Sequence, residues 1–206
     1  MSLESGEPGQ PSGQRRLLLD DPRSIRALAH PLRLELWSVV GRSGRITTAD
    51  AARVLGVSHG LASHHLHQLA KYGYIEQVSG ADNRERPWRL MATSLSHEGI
   101  EDKPGGAGAV AVYEQVVAER ALASFLDWQQ RRASWGPQWR EHAGIGYSTI
   151  YLTQPELASL VAAFDAMVTD YVEQRPLDDL TARPAGSVPV DFTMLVVPRE
   201  PLAEGR

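Results

Sequence analysis

The sequence predicts an α+β fold, mainly α, and three observations carry that expectation. Two short helical segments flank the turn Gly56-Val57, each with a cap residue at its start. A pair of short apolar and aromatic runs, Ile75–Val78 and Arg86–Leu90, follows across a turn at Ser79–Asn83. Beyond a glycine-rich break, a long apolar helix leads into a strand–helix–strand pattern.

The elements follow in order. Residues 1–20 are rich in Gly, Pro, Ser, Gln and charge and read as a disordered tail, with Leu17–Leu19 beginning to dock. Asp21-Pro22 opens a short helix. His30-Pro31 breaks it and starts a second, which turns Leu32, Leu36, Trp37 and Val40 inward and ends at Gly41 and Gly44. Thr47–Asp50 is a capping-box-like start with Asp50 in place of the usual Glu. Ser58 caps the next helix, which reaches about Tyr72 and ends at Gly73. Residues 21–92 therefore form one module and residues 93–108 a polar linker. Residues 109–135 make one long helix whose apolar band is too wide for a single contact, as expected of a helix that also meets a second subunit. In the rest of the 109–198 module, Tyr147–Leu152 and Val188–Val196 alternate as strands around a helix capped by Thr153–Glu156. Two strands make a poor sheet alone, and a dimer would extend it. Residues 199–206 are a tail.

The chain has 206 residues, 42% hydrophobic and 22% charged, which is enough for a packed core. It contains no cysteine, which excludes disulfides, thiolate metal sites and cysteine nucleophiles and fits the cytoplasm. No apolar run approaches membrane-spanning length. The net charge of −4 conceals an asymmetry: residues 22–91 carry ten Lys/Arg against five Asp/Glu, and residues 93–206 carry nine against sixteen. Such a division suits one module that faces a polyanion and another that does not. The sequence has no Gly-rich phosphate loop with lysine, no HExxH and no GxSxG, so catalysis is not expected.

Helix, turn, helix and β-ribbon in this order make a winged helix-turn-helix, in which the second helix fits the major groove and the ribbon reaches the neighbouring phosphates. In the second helix the core face is Ala62, Leu66 and Leu69, with His65 beside it. The outward face is His59, Gly60, Ser63, His64, His67 and Lys71, and no acidic residue occurs from Val54 to Ile75. Ser63, His64 and His67 are suited to donate to base edges or phosphates. Arg84 and Arg86 bring charge to the wing, while Arg89 is placed either to do the same or to brace the strand. Ser58 and the helix N-terminus add a site for a phosphate.

Ala27-Leu28-Ala29-His30-Pro31-Leu32-Arg33-Leu34, Ser63–Leu69 with Gly73-Tyr74-Ile75, and Arg84–Leu90 together resemble the ArsR/SmtB family of winged-helix bacterial repressors, over residues 21–91. The resemblance implies a homodimeric regulator of transcription that binds double-stranded DNA through Ser58, His59, Ser63, His64, His67, Arg84 and Arg86. It implies a structural role for His65. The chain departs from the family at the helix before the recognition helix, which carries Ala51, Ala52 and Val54 and no thiol, so thiolate metal sensing is excluded.

Three alternatives stay open. His64 and His67 share a helix face and would suit a zinc or nickel ion as well as a DNA surface, although no carboxylate on the helix completes a shell, and neither a metal nor a cofactor is expected. Protonation of the four histidines at 59–67 would add positive charge to the DNA face and tighten binding as pH falls. In the C-terminal half, Trp128, Trp135, Trp139, Tyr147 and Tyr151 would either line a pocket for an apolar small-molecule effector or glue the long helix to its module. A protein–protein adaptor that uses the winged helix as a docking surface is the competing class of function.

Overall fold

The computed structural model describes residues 16–79, 86–91, 94–96, 99–177 and 179–200. Strand β1 (Arg16–Leu18) lies at its start, within the segment expected to be a tail. Helix α1 (Pro22–Leu28) begins where Asp21 accepts a hydrogen bond from the Arg23 amide at 2.8 Å. In front of α2 (Pro31–Ser43), His30 Nδ1 accepts from the Leu32 amide at 3.2 Å, so an imidazole serves as the N-cap. Thr47 accepts from the Asp50 amide at 3.1 Å to start α3 (Thr48–Leu55), and its hydroxyl donates to the Asp50 carboxylate at 2.7 Å. Gly56 then turns the chain at φ 64°, a left-handed conformation that glycine adopts without steric cost. Ser58 accepts from the Leu61 amide at 3.2 Å and opens α4 (His59–Lys71).

Strands β2 (Ile75–Gln77) and β3 (Trp88–Leu90) pair antiparallel in the register Ile75↔Leu90, Glu76↔Arg89 and Gln77↔Trp88. Ile46 adds a bridge on the other side of Trp88, with reciprocal backbone bonds of 3.1 and 2.8 Å. The expected linker is folded structure. Its strand β4 (Ser94–Ser96) pairs in parallel with β1, Leu17 opposite Leu95, and Ile100 is fully buried.

Helix α5 (Gly106–Arg131) starts three residues earlier than the apolar pattern indicates. A Cβ on Gly106 would stand 1.7 Å from the Ile100 carbonyl oxygen, so only glycine allows this close entry into the helix. The helix gives way to a 3-10 turn (Arg132–Ser134) and then to α6 (Pro137–His142), where one continuous helix to residue 135 was expected. Helix α7 (Gln154–Gln174) has the expected capping box, with the Thr153 amide donating to Glu156 at 2.7 Å. A second 3-10 turn covers Leu180–Ala182. The two segments expected as strands, 147–152 and 188–196, are not paired within this chain.

The core lies between α1, α2, α3, α4, the ribbon and the first turn of α5. Among the described residues, none after Val110 is buried. Arg120 connects the outer part of α5 to the core, 2.9 Å from Glu35 and 3.1 Å from the Ser38 hydroxyl, both on α2. No helix among the described residues is long and apolar enough to cross a membrane.

Tyr74 lies at the centre of the core, fully buried, with its hydroxyl donating to the Ser24 carbonyl at 2.6 Å. Burial pushes the phenol well above its usual range, so it stays protonated and keeps that bond at any ordinary pH. Tyr74→Phe is expected to lower stability by about 1 kcal/mol through the lost bond, read as a reduced urea midpoint at unchanged slope.

Candidate nucleic-acid interface

The site is built from α4 and the ribbon. Ala62, Leu66 and Leu69 are fully buried and His65 nearly so, which fixes the rotation of α4 about its axis. The face that remains carries His59, Gly60, His64, His67 and Lys71, all exposed, with Ser63 half-buried beside them. Ser58 is exposed at the positive end of the helix. No Cβ-scale neighbour stands over Gly60, so the backbone there is open to close approach. Leu61, to which the sequence reading assigned no role, is 44% exposed on the same turn and offers an apolar contact of the kind that a thymine methyl accepts. Its only sequence signal is that it falls off the stripe of Ala62, Leu66 and Leu69.

His67 is more constrained than a free surface histidine. Its Nδ1 is 2.8 Å from the Ser63 carbonyl and 3.4 Å from the Ser63 hydroxyl, and its ring meets Trp88 edge-on at 5.2 Å. That leaves Nε2 as its outward atom. The edge-on contact also sets the distance between α4 and the ribbon, because Trp88 is only 1% exposed and its indole N–H donates to Thr48 on α3 at 2.9 Å. In the wing, Arg89 donates to Glu76 directly across the ribbon at 2.7 Å, so it braces the strands. Arg86 is exposed at the outer end of the ribbon, and Arg84 lies outside the described residues.

The four histidines of α4 have different fates. His59 and His64 are exposed. His65 stacks on His30 at 4.7 Å and meets His64 at 5.2 Å, and its buried Nδ1 has no hydrogen-bond partner. Burial first, and then neighbouring positive charge, hold both His30 and His65 below the ordinary imidazole range. Arg33 acts on both, and His30 and His64 act on His65. His65 therefore does not belong with the other three on the exposed face: it is buried, and its surroundings oppose its protonation. Among the described residues no group of three or more His, Asp and Glu is gathered to hold a metal ion.

The aromatic set of the C-terminal half does not assemble as one lined pocket in the single chain. Trp128 packs near Phe125 at 6.1 Å under the Arg132 guanidinium, and Trp135 meets Trp139 at 6.0 Å. Tyr147 and Tyr151 are 84% and 94% exposed, because the extended segment that bears them has nothing packed against it.

No family model and no curated protein sequence matches the chain, so the ArsR/SmtB resemblance drawn from the motifs has no family-level match. Some solved structures align with part of the chain at low identity. Wild-type apo MarR from E. coli is 17% identical, with 71% of this chain and 87% of that one covered at a TM-score of 0.31. A MarR mutant from E. coli complexed with operator DNA is 17% identical over 71% and 86%, with a TM-score of 0.29. RV1404 from Mycobacterium tuberculosis is 17% identical over 71% and 84%, with a TM-score of 0.30. The winged-helix arrangement of α3, α4 and the ribbon stands on the chain's own geometry.

An imidazole held below its unfolded value binds protons more weakly in the native state. His30 and His65 therefore contribute stability that is present above about pH 6.5 and lost as pH falls through that value. Thermal unfolding between pH 8 and pH 5 is expected to show a falling melting temperature across that window. The slope is expected to be shallower in His65→Phe.

Proposed function

We propose that the chain is a sequence-specific DNA-binding regulator of transcription, acting as a homodimeric repressor. The observation that carries this reading is the outward face of α4: acid-free, rich in hydrogen-bonding groups, open at Gly60, and held beside a ribbon with Arg86 at its outer end. In this reading α4 lies in the major groove. Ser63, His64 and His67 reach base edges, Leu61 offers apolar contact, and Ser58 with the helix N-terminus, Lys71, Arg84 and Arg86 hold phosphates. Two such helices, one from each subunit, would read half-sites one helical turn apart. The C-terminal half would couple an effector or partner to the DNA-binding module through α5 and Arg120, which joins α2 to that half.

Fluorescence anisotropy with labelled duplexes tiled across the region upstream of the chain's own gene tests the proposal. Tight binding to one tile is expected, falling steeply between about 50 and 200 mM salt. Lys71→Ala and Arg86→Ala are expected to weaken all sequences alike and to reduce the salt slope by about one each. His64→Ala is expected to cost about tenfold on the preferred tile and little elsewhere. Salt-independent behaviour, with no duplex bound at low salt, would favour the adaptor reading and overturn this one.

A further inference from the structure

The C-terminal half leaves a large apolar surface uncovered. The chain presents 15092 Å² of accessible surface. A compact monomer of 22.6 kDa is expected to present about 9,500 Å². Counting the 32 residues outside the described set at the full extended-chain area of about 5,100 Å², and taking about 8,400 Å² for a compact body of the other 174, leaves an excess on the order of 1,500 Å². A stable interface needs about 800 Å² from each partner.

The uncovered surface has a pattern. Residues 188–197 are extended, and Val188, Val190, Phe192, Met194 and Val196 alternate on one side, with Phe192 71% exposed. Residues 145–152 are extended too, with Ile145, Tyr147 and Tyr151 on one side and Ile150 and Leu152 on the other. No backbone hydrogen bond joins either segment to another part of the chain among the described residues. Exposed strand edges are ordinarily blunted with lysine, charge or proline in a protein that stays alone. Neither segment contains lysine; the one proline, Pro189, lies next to the start of 188–197 and removes a single ladder donor there, and the one charged residue, Asp191, lies 3.5 Å from Arg120 on α5. With that charge engaged, two copies of 188–197 meet without repulsion. The segment is also seated on its own chain, through Phe192 against Phe164 of α7 at 6.3 Å. It is therefore presented by the fold with one edge free.

We infer that residues 188–197 form the centre of an intermolecular β-sheet with a second copy of this chain. The segment pairs antiparallel with its own counterpart about a two-fold axis, and 145–152 covers the adjoining apolar surface. A two-fold contact places the same patch against itself, and a strand crossed by that axis is antiparallel to its mate by symmetry. The sheet would bury the alternating apolar face and satisfy the unpaired backbone groups together. The inference rests on the homodimeric reading above and names its interface.

Sedimentation of the full chain, combined with hydrogen exchange read by mass spectrometry, tests it. The expected result is a dimer in which the amides of 188–197 are protected. Val190→Asp, on the alternating apolar face, is expected to weaken the dimer at least tenfold and abolish that protection, while α4 amides keep theirs. Because the chain has no cysteine, single substitutions Asp191→Cys, Phe192→Cys, Thr193→Cys and Met194→Cys report pairing cleanly. A disulfide-linked dimer is expected to peak at one of these positions. A dimer with 188–197 unprotected would mean that α5 alone joins the subunits; it would overturn the inference and leave the proposed function standing. Protection with no cross-link at any of the four positions, or protection in a monomer, would mean that the strand pairs elsewhere, and would overturn it. A monomer without protection would overturn both this inference and the homodimeric reading.

Discussion

The burial of Trp88 is the constraint on which the N-terminal module depends. An indole removed from water needs a partner for its N–H, and Thr48 at the start of α3 supplies it. The same residue exchanges backbone bonds with Ile46 and pairs with Gln77 across the ribbon. Its ring carries the edge of His67 from α4. One residue thus holds the ribbon, α3 and α4 in one geometry, and a shift of its ring would move the exposed face of α4 relative to the ribbon. The half-buried pair Arg89–Glu76 stiffens the ribbon next to it, which leaves Arg86 outside as the free cation of the described wing.

A second packed arrangement, around His30 and His65, shows how a polar group is used where an apolar one would serve for packing alone. His30 caps α2 through Nδ1 and stacks on His65, which lies on the buried side of α4. A ring that accepts at Nδ1 cannot carry a proton there, and Arg33 nearby opposes charging of either ring. The capping of α2 and the seating of α4 are therefore tied to one pair of stacked rings whose charging the surroundings oppose.

The two halves of the molecule have opposite problems. The N-terminal module has a closed core that ends in the first turn of α5 at Ala109 and Val110. Tyr113, Val116 and Val117 still pack against that core, but Leu122 and Leu126 of α5, Leu160, Met167 and Tyr171 of α7 and much of the extended segments are exposed. The C-terminal half presents the surface of an object cut through its interior, and Arg120 fixes that surface relative to α2 and to residue 191.

The sequence by itself determined what local chemistry can determine. Asp21, Thr47, Ser58 and the Thr153–Glu156 box were legible as helix starts, because a cap bonds to amides two or three residues away. The buried and outward faces of α4 were legible from helical periodicity, and the ribbon from two short runs around a turn. Contacts between distant residues carried no local signal. The parallel pairing of β1 with β4 joins residues 16–18 to 94–96, and the runs themselves read as tail and linker. Ile100 enters the core from a glycine-rich stretch only because Gly106 lets the backbones approach. The engagement of His67 with Trp88, the burial of His65 and the dispersal of the five aromatic residues also depend on which surfaces meet. Tertiary structure alone decided these, since burial, and with it protonation and exposure, is set by neighbours that the chain brings together only when it folds.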